Sequence, residues 1–156
     1  MSVFVTLTDI SCGNRLCFFW HLFRKRERAS GKLTNHILTF LINLSAKRHG
    51  GYIGNGAIIE GAPVLPHGLH GVYISRYAHV GADCWIYQNV TIGEVNHKAP
   101  HIGNRCIIGA NACIIGDVTI GDDVKIGAGA VVACDVPCGC TVVAQPPRIL
   151  MKAGQS

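Results

Sequence analysis

Histidines concentrate at two places in this chain of 156 residues. Four of the eight histidines, His67, His70, His97 and His101, fall within two short segments that also contain Gly, Pro or Asn. Because an imidazole titrates near neutral pH, it suits the task of a general base that removes a proton from a weak nucleophile such as a hydroxyl. These four residues are therefore the first candidates for a catalytic site.

A six-residue repeat surrounds both segments. From Ile53 to Val132 an aliphatic residue recurs at nearly every sixth position, and small or apolar residues fill a second register two positions earlier. The thirteen aliphatic positions are Ile53, Ile59, Leu65, Ile74, Val80, Ile86, Ile92, Ile102, Ile108, Ile114, Ile120, Ile126 and Val132. Hexapeptide repeats are typical of a parallel β-helix. Since three hexads make one triangular coil, the repeat predicts an all-β solenoid of a little over four coils at 51–137.

The six-residue count is interrupted twice, and the histidines lie at the interruptions. The spacing between inward aliphatic residues rises to nine across 66–71 and to ten across 94–101. Extra residues leave a solenoid as loops, often on its binding face. We expect the two loops to lie about two coils apart on one chain, so that a neighbouring subunit would have to bring them together.

The segment before the repeat is basic. Residues 1–50 carry eight Lys or Arg and two acidic residues, a net charge of +6, whereas 51–156 carry a net charge of −1. Apolar residues at helical spacing predict helices over about 14–28 and 33–47, which we expect to cap the solenoid within an N-terminal segment, 1–50. Peripheral membrane contact through residues 15–48 is the alternative role. Residues 138–156 are predicted to form an extended tail.

Composition narrows the classes of function. The repeats carry no basic stripe, which argues against a nucleic acid partner. Apolar stretches fall short of the roughly 20 residues that cross a bilayer, and no signal-peptide pattern is present, so we expect a soluble cytoplasmic protein. The eight cysteines lack paired CxxC spacing, which indicates reduced structural thiols and no bound metal.

Several segments resemble the hexapeptide acyltransferase superfamily, specifically its serine acetyltransferase-like branch. The segments are residues 65–68, 90–93, 100–104, 126–132 and 135–137. The stretch 100–137 is also similar to acetyltransferases of exopolysaccharide (colanic acid) gene clusters. The resemblance implies that the β-helix is left-handed, that the protein is a homotrimer with active sites between subunits, and that acetyl-CoA is the co-substrate. The short α-helical N-terminal segment is predicted from the spacing of apolar residues alone, and the long helical N-terminal domain of serine acetyltransferases is absent.

The resemblance also suggests which histidine acts as the base. His67 matches the family's catalytic histidine. One extra residue lies between His67 and Gly71, which makes His70 a rival base. His97 and His101 are further candidates for roles in the site.

Other positions match the family's binding groove. Ala110, Lys125 and Ala128 match positions that line its CoA groove. A tetrahedral intermediate needs a hydrogen-bond donor to its oxyanion, and a backbone amide near Gly93 is the candidate for that donor.

The departures from serine acetyltransferases affect the acceptor. Tyr52 stands where an aspartate partners the catalytic histidine, and Pro66 replaces the acidic residue that helps to hold serine's amino group. Lys98 falls at the arginine that binds the serine carboxylate, and Ala99 at a second site histidine. These differences favour a sugar hydroxyl as acceptor over L-serine.

The leading hypothesis is therefore an acetyl-CoA-dependent O-acetyltransferase acting on a sugar in exopolysaccharide or capsule synthesis. The nearest alternative is serine O-acetylation in cysteine biosynthesis. A non-catalytic trimeric scaffold is a third interpretation, which the histidine-bearing loops disfavour. A metal-dependent hexapeptide enzyme is a fourth, and it requires three converging histidines.

Overall fold

Two helices precede the repeat in the part of the chain that the structure describes. The structure, a computed structural model, describes residues 16–146, in which α1 spans Cys17–Glu27 and α2 spans Lys32–Arg48. Phe19 and Phe23 of α1 and Ile42 of α2 are almost completely buried. Basic residues occupy the last turn of each helix, where their positive charges interact favourably with the negative end of the helix dipole. Both predicted helices are confirmed within this part of the chain.

Thirteen short strands follow the helices within residues 16–146. In chain order they are β1 (Tyr52–Ile53), β2 (Ile58–Ile59), β3 (Tyr73–Ile74), β4 (His79–Val80), β5 (Trp85–Ile86), β6 (Thr91–Gly93), β7 (His101–Ile102), β8 (Ile107–Ile108), β9 (Cys113–Ile115), β10 (Thr119–Ile120), β11 (Lys125–Ile126), β12 (Val131–Val132) and β13 (Thr141–Val142). They form three parallel sheets: sheet A is β1-β3-β6-β9-β12, sheet B is β2-β4-β7-β10, and sheet C is β5-β8-β11-β13. Successive coils stack their strands onto the same three sheets, which confirms the predicted parallel β-helix.

The core of the β-helix is the column of side chains that the repeat predicts. All thirteen aliphatic positions are buried, and so are the thiols of Cys84 and Cys106 in the second register. In-register pairing stacks these side chains along the axis, as in the alignment of Ile74 with Ile92 and of Ile92 with Ile114. The repeat therefore builds one continuous core because the same inward position is apolar in every coil.

Two of the three corners of each coil use a left-handed backbone. At the B-to-C and C-to-A corners, five non-glycine residues have φ between 55° and 60°: Asp83, Asn89, Arg105, Asn111 and Asp123. Asn and Asp tolerate this conformation better than most residues. Arg105 does not share that preference, but its guanidinium donates two hydrogen bonds of 2.8 Å to Asp123 in the next coil. The A-to-B corner carries the longer loop.

The last coil extends beyond the boundary expected at residue 137. Strand β13 pairs with β11, so the β-helix reaches at least Val142. The predicted tail, residues 138–156, thus begins with the last strand of the β-helix. Its residues 147–156 lie outside the described range, as do residues 1–15. Neither α1 nor α2 has the length and apolar content needed to cross a bilayer.

Candidate active site

The first loop is a turn anchored in the core. Leu69 at its centre is fully buried, although it belongs to neither register of the repeat. The Nδ1 of the next residue, His70, is 2.6 Å from the carbonyl oxygen of His67. Because a carbonyl can only accept, Nδ1 must be the donor, which leaves the lone pair of a neutral ring on Nε2. The turn therefore presents an oriented imidazole in a form that can accept a proton.

A column of equivalent corner residues runs from this turn along the β-helix. His70, Gln88, Ala110 and Ala128 occupy corresponding positions in successive coils at the C-to-A corner. Backbone hydrogen bonds join these coils: Asn89 N to His70 O at 2.9 Å, Asn111 N to Gln88 O at 3.0 Å, and Gly129 N to Ala110 O at 2.8 Å. Below Gln88 the column continues with Ala110 and Ala128, whose small side chains leave room for a ligand along that part of the edge.

His67 and Lys125 lie beside the same edge. The exposed His67 ring is 6.1 Å from the ring of Tyr87, which follows β5 at the C-to-A corner. Lys125 points outward from β11 in sheet C, three residues before Ala128. Both candidate bases and the three side chains that the family resemblance places in the CoA groove therefore lie along one edge of the β-helix, in different coils.

The second loop is a tight hairpin at the opposite edge of sheet A. Val95 and Lys98 exchange backbone hydrogen bonds of 2.8 and 3.0 Å. Asn96 and His97 between them have φ of 52° and 64°, as a type I′ turn requires. The turn places the exposed His97 at the tip, with its ring 5.4 Å from the ring of Tyr77.

The remaining two candidates on this side are already engaged. The Nζ of Lys98 donates to the Asp117 carboxylate at 2.5 Å, and this contact raises the pKa of Lys98. His101 points outward from sheet B, where its ring is 4.2 Å from that of His79. His79 in turn is 2.9 Å from the Glu60 carboxylate. His101 therefore belongs to a ladder of polar side chains on sheet B.

The face of sheet A holds a cleft that the repeat pattern did not reveal. Tyr52 and Tyr73 stack at its upper end with ring centroids 4.8 Å apart. Ser75 beside them is buried and donates a hydrogen bond to the Glu94 carboxylate. The cleft measures about 560 Å³ and is also lined by Arg76, Tyr77, Thr91, Gly93 and His97. One signal in the sequence was available: each stacked tyrosine directly precedes an inward isoleucine and must therefore face outward.

The predicted site is consequently divided between two edges of one chain. His67 and His70 lie at the C-to-A edge of sheet A with Ala110, Lys125 and Ala128. Gly93, His97 and Lys98 lie at the A-to-B edge. The Gly93 amide therefore lies at the opposite edge of sheet A from His67 of the same chain. Within residues 16–146, no three His, Cys, Asp or Glu side chains are grouped so that they could hold a metal ion.

Comparison with known proteins identifies relatives of the chain. Residues 99–134 match the family described as bacterial transferase hexapeptide (six repeats). The chain is 36% identical over 147 residues to a serine acetyltransferase of Helicobacter pylori, covering 88% of this chain and 79% of that protein. It is also 36% identical over 137 residues to a serine acetyltransferase of Synechococcus elongatus, covering 85% of this chain and 53% of the relative.

Solved structures agree with the sequence relatives. The crystal structure of Neisseria gonorrhoeae serine acetyltransferase in complex with serine superposes with a TM-score of 0.71 at 31% identity, covering 84% of this chain and 55% of that one. The fold is therefore the left-handed β-helix of hexapeptide repeats. The chain spans about half the length of the Synechococcus and Neisseria proteins. These matches do not show the exopolysaccharide branch that the stretch 100–137 resembles.

Proposed function

This chain belongs to the hexapeptide-repeat transferase family, and on that premise we propose that it is an acetyl-CoA-dependent O-acetyltransferase. The observation that carries the proposal is the C-to-A edge. Two histidines stand at one end of a column that continues to the small residues Ala110 and Ala128, and these positions match the family's base and CoA groove.

The geometry suits acyl transfer between a thioester and a hydroxyl. A histidine at the first loop takes the proton of the acceptor hydroxyl as its oxygen bonds to the acetyl carbon. The carbon–sulfur bond then breaks, and the proton returns to the departing CoA sulfur. Following the family match we assign the base to His67, while His70 positions the turn through its hydrogen bond to the His67 carbonyl.

The relatives favour L-serine as the acceptor, ahead of the sugar hydroxyl that the sequence motifs suggested. Both curated relatives described above are named serine acetyltransferases, and the Neisseria structure contains serine. L-Serine carries the primary hydroxyl that this chemistry requires, together with an amino group and a carboxylate that a site must hold.

A sugar hydroxyl is the second candidate, and the state of Lys98 favours it. Lys98 is the residue at the position that would bind the serine carboxylate, but its ammonium is already paired with Asp117. Pro66 supplies no charge for the amino group. The stacked pair Tyr52 and Tyr73 instead offers an aromatic surface, of the kind on which sugar rings pack, beside Arg76 and Glu94.

We further propose that the active unit is a homotrimer. In one chain the two halves of the predicted site lie at opposite edges of sheet A, and a neighbouring subunit supplies the missing half in a symmetric ring. The outer face of α2 gives the assembly an apolar surface to bury. Its exposed side chains are Leu33, Ile37, Phe40, Leu41 and Leu44. Peripheral membrane contact is the alternative use of that face.

The test is release of free CoA from acetyl-CoA by the purified full chain, with L-serine and a panel of sugars and sugar nucleotides offered separately. Turnover that requires a hydroxyl acceptor, and that is lost in His67→Ala, supports the proposal. Serine alone as substrate selects the first candidate, and a sugar alone selects the second. No CoA release with any acceptor, from protein that is folded and trimeric, contradicts the proposed activity.

A further inference from the structure

A separate cleft lies between helix α1 and the stretch that leads into the first loop. We call it the α1 cleft. One wall is residues 62–66, and the other is formed by α1 and its two flanking residues: Leu16, Trp20, His21, Arg24, Lys25 and Arg28. Its volume is about 1030 Å³, at the upper end of the roughly 300–1,000 Å³ typical of small-molecule sites. None of the residues assigned above to the base, the CoA groove or the hairpin lines it.

The charge of the α1 cleft has one sign. Arg24, Lys25 and Arg28 all line it, and no acidic residue does. Within residues 16–146 none of the three has a carboxylate within 4.0 Å. Glu27 and Glu60 line a different cleft of about 380 Å³, which also includes Arg24 and Arg28. Arg24 and Arg28 thus border two clefts, one without acidic residues and one shared with Glu27 and Glu60, and neither guanidinium is within ion-pair distance of those carboxylates.

The basic run of α1 divides into two roles. Arg26 is buried, with its guanidinium 4.4 Å from the ring centre of Phe23, and it holds the helix against the core. Arg24 and Arg28 are exposed and four residues apart, so their Cα atoms are separated by about 6 Å along the helix axis. That spacing allows both side chains to reach one phosphate or two linked phosphates. Guanidinium groups bind phosphate oxygens through paired hydrogen bonds.

One wall of the α1 cleft is formed by the stretch of chain that leads to the proposed base. Its far wall includes Leu65 and Pro66, and the next residue is His67. Trp20 lies on the near wall and is partly exposed, which leaves an aromatic face for a sugar or a nucleobase. A ligand whose anionic part binds Arg24 and Arg28 can therefore extend a hydroxyl toward the first loop.

We propose that the α1 cleft binds the phosphate group of the acceptor, and that this acceptor is a phosphate-bearing sugar. The inference rests on the proposed O-acetyltransferase and refines its second candidate. A sugar 1-phosphate and a nucleoside-diphosphate sugar share the required chemistry, so both are tested. Trp20 would contact the sugar or the base, while the cations fix the end remote from the reacting hydroxyl.

The experiment is calorimetric titration of the full chain with inorganic pyrophosphate, glucose 1-phosphate, UDP-glucose and free glucose. The variant Arg24→Gln/Arg28→Gln removes two cations at exposed helical positions with little change in helix propensity. Lys47→Gln/Arg48→Gln is the matched control, because it removes two exposed cations from the end of α2, outside the α1 cleft. Each titration is repeated with saturating CoA.

We expect UDP-glucose or glucose 1-phosphate to bind more tightly than pyrophosphate and glucose. Affinity for the phosphorylated ligands should fall about tenfold or more in the α1 variant, because each charged hydrogen bond to phosphate contributes strongly to the binding free energy. The same affinity should be unchanged in the α2 control. In CoA-release assays the α1 variant shows a raised KM for the phosphorylated sugar with kcat and the KM for acetyl-CoA retained. Whichever of the two sugar ligands binds identifies the acceptor type.

Three results overturn the inference. Equal ligand affinity of the wild type and the α1 variant would show that Arg24 and Arg28 do not contribute to binding. An equal loss of affinity in the α2 control would show that binding depends only on the net charge of the protein. Displacement of the ligand by CoA assigns the cleft to the phosphates of CoA instead. These binding results are independent of turnover, so loss of the proposed activity with every acceptor is distinguishable from failure of the α1 cleft to bind phosphate.

Discussion

The turn at 66–71 couples the side chain of one histidine to the backbone of another. His70 donates from Nδ1 to the His67 carbonyl, so removing the His70 ring releases the backbone that presents His67. A base and its positioning residue would respond differently to conservative replacement. An asparagine amide can imitate the Nδ1–H donor of histidine, but it cannot accept a proton at neutral pH.

We therefore expect His70→Asn to retain much of the activity that His70→Ala loses. His67→Ala and His67→Asn should both lower kcat by about 10²–10⁴, which is the usual contribution of a general base. Steady-state CoA release across pH 6–9 measures both series. If His70→Asn is as inactive as His70→Ala while His67→Asn retains activity, the two roles are reversed.

The cysteines differ from one another in burial, and their reactivity should differ accordingly. Cys84 points inward and its Sγ is 3.2 Å from the carbonyl oxygen of Gly103. The hydrogen bond with the Cys106 thiol, followed by burial, raises the pKa of Cys84 above its usual value. A thiol that stays protonated reacts slowly, because the thiolate is the nucleophile. Cys134, Cys138 and Cys140 are exposed and lack this protection.

Iodoacetamide at pH 8 should therefore modify the three exposed cysteines first. Cys84 should remain unmodified in the native protein and become reactive only in guanidinium chloride. Peptide mass mapping after timed pulses gives the rate at each site, and Cys134→Ser removes one fast site as a control. Labelling of Cys84 in the native protein as fast as Cys134 would contradict the buried position of its thiol.

At the scale of elements, the sequence predicts the parts of the fold that follow the six-residue repeat and not the irregular parts. The inward aliphatic positions were predictable because a β-helix demands an apolar residue there in every coil, whatever the rest of the chain does. Leu69 was not, because its burial depends on the path of an irregular turn. The strand β13 was similarly assigned to the tail, since Thr141 and Val142 follow Pro137 and Gly139, where the six-residue count is lost.

The candidate site likewise has features that the repeat predicts and features that it does not. The loops and their histidines were predicted from the breaks in the count, and the hairpin confirms that extra residues leave the coil. The pairing of Lys98 with Asp117 was not predictable, because these residues belong to different coils and meet only through the stagger of the A-to-B corner. The α1 cleft required knowledge of how a helix docks against residues 62–66.

Helix α2 carries the clearest unpartnered surface among the described elements. Leu33, Ile37, Phe40, Leu41 and Leu44 are between 37% and 74% exposed. Burying side chains of this type is worth about 1.5–3 kcal/mol each, so an interface over this face would stabilise an oligomer substantially. A charge placed at its centre should oppose that burial.

We expect Ile37→Glu/Phe40→Glu to convert a trimer to monomers in sedimentation velocity at micromolar concentration. Asn43→Glu adds a carboxylate to an exposed position of α2 outside the apolar stripe and should leave the assembly intact. Flotation with vesicles containing phosphatidylglycerol is measured in parallel. A trimer unaffected by the double variant, with vesicle binding abolished, would instead assign the face to membrane contact.

At the scale of the whole molecule, the two halves of the proposed site lie at opposite edges of sheet A, so one chain alone does not form a complete site. The C-to-A edge presents the histidines and the column of small residues, and the A-to-B edge presents the hairpin with His97. A rotation that places one edge of a subunit against the other edge of its neighbour closes after three steps in a trimer. Each complete site then contains the first loop of one subunit and the hairpin of another.

Subunit mixing tests this arrangement directly. His67→Ala and the hairpin variant His97→Ala/Lys98→Ala should each be inactive as homotrimers, since every site lacks one half. When the two are unfolded together in equal amounts and refolded, about a quarter of the sites in random trimers combine two intact halves, so about a quarter of wild-type CoA release should return. Mixing without unfolding is the control and should restore nothing. Mixed trimers that form but stay inactive, or a hairpin variant that is active alone, would place the whole site within one chain.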